Sequence, residues 1–158
     1  MKRTKYMAML ISIMGLVIVV VGGMYLGIAV QKNTLVVDAL RAQKITLGLT
    51  PEQIAAGKLV DDGQTAQVAA ETLNGHLAKI APTYGALLAS NTGGQYDPTK
   101  ASNLSYAQGL SMETGLNLAV LTFGFIQETI VTGIALIIIG LVFGISGFML
   151  LGLAKRQS

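Results

Sequence analysis

The chain has 158 residues, of which 52% are hydrophobic and only 12% charged, well below the roughly 25% charge of soluble domains. No cysteine is present, which excludes disulfides, thiolate metal sites and thiol nucleophiles together. The net charge of +3 comes from residues at the two ends rather than from a binding stripe, so the chain is not expected to bind nucleic acid.

In chain order, the basic tail Lys2, Arg3 and Lys5 precedes an uncharged run from Tyr6 to Val30. As a helix that run is about 37 Å long, enough to cross a bilayer with some tilt. A cleaved signal peptide is the competing reading, since Gly27 and Ala29 give a small-x-small site. The apolar stretch is, however, much longer than the roughly 7 to 15 residues of a signal peptide, which favours an uncleaved anchor. Beyond it, Leu35, Val36, Ala39 and Leu40 predict that the helix continues outward as an amphipathic segment. Alternation of Ile45 and Leu47 with polar neighbours predicts a short strand or extended connector over 44–49. Thr50 followed by Pro51 predicts a capped single turn that Gly57 ends. The next helix is expected over 65–80, with Val68, Leu73, Leu77 and Ile80 on one side and Pro82 closing it. A short turn at 84–89 and an exposed glycine-rich loop at 90–102 follow.

From Asn103 the chain enters a long helix that either runs on unbroken or breaks near Gly109 or Gly115. No charge occurs between Glu128 and Lys155, so its second half is expected to cross the membrane. The stretch after Glu113 could instead make two crossings. That requires a turn near Gly133 without a proline or polar cluster, and it buries Gln127 and Glu128 in the bilayer. A single crossing from about Thr129 to Leu153 places Glu128 at the outer interface and Lys155 and Arg156 inside. The expected fold is mainly α: a two-span transmembrane hairpin with a small, mostly helical extracytoplasmic domain. Its divisions are a tail and first span at 1–30, an outer domain at 31–128, and a second span and tail at 129–158, with both termini cytoplasmic.

Residues able to carry chemistry are few. His76 is the sole histidine, and its separation from Glu71 is not the four-residue spacing that aligns zinc ligands on a helix. Asp61 and Asp62 before a glycine read as a turn and helix cap rather than a calcium loop. Asn103, Leu104 and Ser105 match a glycosylation sequon. No cofactor or metal is expected, and an enzyme ranks last.

The candidate site is a helix-packing one. Ser12, Gly15, Val19 and Gly22 share one face of the first span, and Gly133, Ile137, Gly140, Gly144 and Gly147 share one face of the second, so two small-residue stripes are expected to meet. By depth, Gly15 comes level with Gly144 and Gly27 with Gly133, and leucine at Gly144 is expected to disturb the hairpin. Gly23 and Gly27 form a separate G-x-x-x-G pair, available to face another subunit instead. The expected partners are membrane lipid and either a membrane-protein partner or a second copy of the chain.

The segments "KITL", "AAGKLV", "AQVAAETLNGHLAKIAPTYGALL" and "LAVLTFGF" resemble a family of uncharacterised bacterial two-span membrane proteins often labelled aromatic ring-opening dioxygenase-like. The resemblance implies a cell-envelope protein with a small helical outer domain. It does not imply dioxygenase activity, because one histidine and no cysteine cannot supply a two-histidine facial triad. The leading expectation is a non-catalytic accessory subunit or scaffold of an envelope complex. The alternative is a module that binds or senses a lipid or another apolar ligand.

Overall fold

The computed structural model describes residues 2–156, and the side chains of residues 5–155. It contains α1 (Lys2–Gln43), α2 (Pro51–Ala55), α3 (Gly63–Ile80), α4 (Tyr84–Ala89), a 3-10 turn at Thr92–Gly94, and α5 (Ala101–Arg156). No strand occurs among the described residues. Both α1 and α5 are long and apolar enough to cross a membrane. Neither Gly109, Gly115 nor Gly133 interrupts α5, so its apolar part contains no turn. The chain forms two compact units: residues up to Asn33 with those from Phe125 onward, and Thr34–Gly124.

In the Thr34–Gly124 unit, the end of α1, all of α3 and the first half of α5 enclose a small core. Leu40, Val60, Ala66, Ala69, Ala70, Leu116 and Ala119 form it. The expected face of α3 is corrected here. Val68 and Ile80 are each 40% exposed, whereas Ala66 and Ala69 are fully buried. Alanine lets neighbouring backbones approach where a larger side chain would hold them apart, so the small residues take the inner face. Leu77 does face inward, joining Ala81, Leu87 and Tyr106 in a second cluster. Gly109 serves that cluster: a Cβ there would stand 2.5 Å from Leu77 Cδ2, so glycine at this turn of α5 makes room for the leucine.

Of the two readings of 44–49, a short strand or an extended connector, the strand does not form. Those residues form turns, with Lys44 at φ 50° and Gly48 at φ 79°, backbone conformations that end a pleated strand. Ile45, Leu47 and Leu49 nevertheless pack against the core, so the alternation reflects a folded-back connector with one buried side. The Val60 N–H donates to the Ile45 carbonyl at 2.9 Å. The turn that follows is capped on both sides: the Gln53 N–H donates to Thr50 Oγ1 at 3.3 Å, and Gln53 Oε1 accepts from the Thr50 N–H at 2.9 Å. Gly57, at φ 74°, lies just beyond it.

Asp62 caps α3, which starts at Gly63, two residues before the expected beginning. Its Oδ1 accepts from the Thr65 N–H at 2.7 Å and from the Thr65 hydroxyl at 2.9 Å. Partial burial pushes the Asp62 carboxyl up, but the bonds from Thr65 and the nearby Lys58 ammonium outweigh it and hold it below the ordinary carboxylate value. A carboxyl depressed in the folded state contributes stability above its unfolded pKa, and that contribution is lost as pH falls through the folded value. Asp62→Ala should therefore cost about 1 kcal/mol at neutral pH. The gap from wild type should narrow below about pH 3.9, read by chemical denaturation of the full chain at several pH values.

Candidate functional site

The unit made by residues up to Asn33 and from Phe125 onward is an antiparallel helix pair whose inner seam is lined mainly by glycine and alanine. An added Cβ at Gly15 would stand 2.5 Å from the Gly144 nitrogen and 2.6 Å from the Gly140 oxygen. At Gly22 it would stand 2.7 Å from the Gly133 oxygen and 2.8 Å from Ile137 Cγ1, and at Gly140 2.8 Å from Val19 Cγ2. Gly133 lies against Leu26 and the Gly22 carbonyl, and Gly147 against Ser12 and the Ala8 carbonyl. Real Cβ atoms do not come this close, so at Gly15 backbone meets backbone, and at Gly22, Gly133, Gly140 and Gly147 a backbone atom and a neighbouring side chain share the space a Cβ would need.

Gly144 takes part differently from expectation. Its own Cβ direction meets nothing within 4 Å; it supplies the backbone that Gly15 approaches, not space for a neighbour. Leucine at Gly144 consequently projects off the seam, and the disruptive position moves to Gly15. Gly23 and Gly27 also meet nothing within 4 Å and are exposed. Gly133 has Leu26 rather than Gly27 as its neighbour.

The seam extends beyond the residues singled out from sequence. Ala8, Gly15, Gly22 and Ala29 are buried on α1, and Ile126, Gly133, Gly140, Gly147 and Ala154 on α5. Each set recurs every seven residues, the spacing that keeps one face of a helix against its partner in a left-handed pair. A search for small residues at a seven-residue period would have found Ala8, Ala29 and Ala154. Outward from the seam the pattern inverts: Leu16 is 65% and Phe148 75% exposed. The Ser12 hydroxyl donates to the Ala8 carbonyl at 3.1 Å and the Thr129 hydroxyl to the Phe125 carbonyl at 2.7 Å, so both are satisfied within their own helices.

The Thr34–Gly124 unit holds a second feature, an open cleft of about 660 Å³ between the end of α1 and the first half of α5. Leu35, Val36 and Ala39 line one wall, and Met112, Leu116 and Leu118 the other. Its polar lining residues, Gln43, Gln108, Ser111 and Thr122, are all uncharged. Arg41 is turned to Asp61, with both Nε and Nη2 at 2.8 Å from Asp61 Oδ2, and Glu113 Oε1 accepts from Asn74 Nδ2 at 2.8 Å.

Comparison with family models, with curated proteins and with solved structures finds no match to this chain. His76 and Glu128 are exposed, and no three His, Asp or Glu side chains gather into a metal-binding group among the described residues. Asp61 and Asp62 are engaged as an ion pair and a helix cap. Asn103 of the sequon is 1% exposed, so the fold encloses the atom a glycan would have to reach. Neither Asn103 Nδ2 nor Oδ1 has a hydrogen-bond partner among the described residues.

Proposed function

We propose that this chain is a two-span integral membrane protein of the cell envelope, acting without catalysis as an accessory subunit or scaffold of a larger membrane complex. The observation that carries the membrane reading is the inversion in the helix pair: apart from Ile126, the buried positions are glycine and alanine, while most leucine, isoleucine, valine and phenylalanine side chains face outward. A soluble helix pair buries its large apolar side chains, and so extensive an apolar surface requires an apolar surround. Basic residues flank the apolar stretches at Lys2, Arg3, Lys5, Lys155 and Arg156, which orients both termini to the cytoplasm and the Thr34–Gly124 unit to the outside. Of the terminal residues, Met1, Gln157 and Ser158 lie outside the described ones. The resemblance to two-span envelope proteins fits the same arrangement.

Cysteines placed singly at Asp97 and Ser158 test the orientation in intact cells. An impermeant thiol reagent should label position 97 and spare position 158; the reverse pattern would overturn it.

The accessory role rests on the exposed Gly23 and Gly27, which leave a flat strip on α1 for close approach by another helix. Native mass spectrometry after mild extraction from the source membrane should then show a stoichiometric protein partner or a second copy of the chain. A monomer that retains lipid and no protein would favour the second reading, an apolar-ligand module, for which the uncharged cleft speaks.

A further inference from the structure

We infer that the cleft in the Thr34–Gly124 unit is a binding site for one acyl chain of a membrane lipid, with Gly115 as the position that keeps it open. The inference rests on the membrane reading above and gives the apolar-ligand alternative a site and a ligand class.

Four observations support it. The cleft's volume of about 660 Å³ falls within the roughly 300–1,000 Å³ of small-molecule sites. Its lining contains amides and hydroxyls but no ionised side chain, so a charged headgroup has no counter-charge inside and only a hydrocarbon segment is matched. Along α5 it runs from Gln108 to Thr122, about 21 Å at 1.5 Å per residue. One leaflet of hydrocarbon is about 15 Å deep, half of the bilayer core, so the wall has room for a whole chain. Leu35 and Leu118 are 61% and 64% exposed, giving the cleft an apolar entry.

Gly115 lines the cleft, and a Cβ there meets nothing within 4 Å. Hence a large side chain at this position projects into the open space without displacing the core. That makes Gly115→Phe a plugging variant.

The test reconstitutes the full-length protein into vesicles of phosphatidylethanolamine and phosphatidylglycerol containing a trace of phospholipid with a diazirine near the end of one acyl chain. Adducts are mapped by peptide mass spectrometry after illumination. Wild type should carry adducts both in the apolar stretches 6–30 and 129–153 and at the cleft, at Leu35, Met112 or Leu118. Gly115→Phe should lose the cleft adducts and keep the others. A cleft left unlabelled in wild type, with both apolar stretches labelled, would overturn the lipid site alone. Apolar stretches left unlabelled would overturn the membrane reading, and the lipid site with it. Cleft adducts that persist in Gly115→Phe would show that the chain lies elsewhere on the unit. Should Gly115→Phe fail to fold, Ala39→Leu, from the opposite wall, provides the same comparison. Unlabelled palmitate added in excess separates the sources: it should leave the cleft signal unchanged, and abolition of that signal would assign the site to free fatty acid and overturn the bilayer-lipid assignment.

Discussion

Leucine in place of Gly15 is expected to abolish the close helix pair. The added Cβ would fall 2.5 Å from the Gly144 nitrogen and 2.6 Å from the Gly140 oxygen, and neither atom belongs to a side chain that can rotate away. Overpacking costs typically about 1–3 kcal/mol where side chains can yield. Against two backbones the loss should reach at least about 3 kcal/mol, because the helices must separate and surrender dispersion contacts along the seam. Titration of SDS into dodecylmaltoside micelles, followed by protease susceptibility of the full chain, measures it. Leucine at Gly23, with nothing within 4 Å, serves as the control and should unfold with wild type. Equal midpoints for the Gly15 and Gly23 variants would refute the observed packing.

The second large effect is expected at Leu116, which is 2% exposed and joins α5 to the alanine face of α3. Leu116→Ala should cost about 2–5 kcal/mol through lost transfer energy and the cavity left behind. Four of the six other buried members of that core, Ala66, Ala69, Ala70 and Ala119, have no side-chain length with which to fill the cavity. Leu118→Ala, two residues away and 64% exposed, should change stability by less than about 0.5 kcal/mol. Urea denaturation of both variants in the same detergent compares them.

The sequence was most legible where one physical effect dominated. Uncharged length marked the two apolar helices, and proline with a preceding threonine marked the start of α2. Pro82 marked the end of α3, because its ring cannot continue a helix. Legibility failed where size rather than polarity decided burial. On α3, hydropathy favours Val68 and Ile80 as the inner face, yet the chain turns Ala66, Ala69 and Ala70 inward, since distance of closest approach decides which face a helix neighbour takes. The strand alternative at 44–49 failed for a related reason, as alternation along a chain records a buried side and cannot distinguish a pleated strand from a connector with turns at Lys44 and Gly48. At the seam, the glycines were visible one by one. What escaped was that the glycines recur at a fixed heptad that alanine continues at Ala8, Ala29 and Ala154, and that Gly144 lends its backbone and not its missing side chain.

The seam also governs which substitutions can be compensated by a second one. A methyl group at Gly22 presses on Ile137 Cγ1 as well as on backbone, and one at Gly133 on Leu26, so trimming Ile137 or Leu26 relieves part of the clash. Gly15 has no such recourse. The atoms opposite it are the backbones of Gly140 and Gly144, already the smallest residue available, and no local suppressor exists. Reversion, or rearrangement of the entire helix pair, is the only route back, which makes Gly15 a mutational dead end beside Gly22 and Gly133, where a second substitution takes up part of the strain.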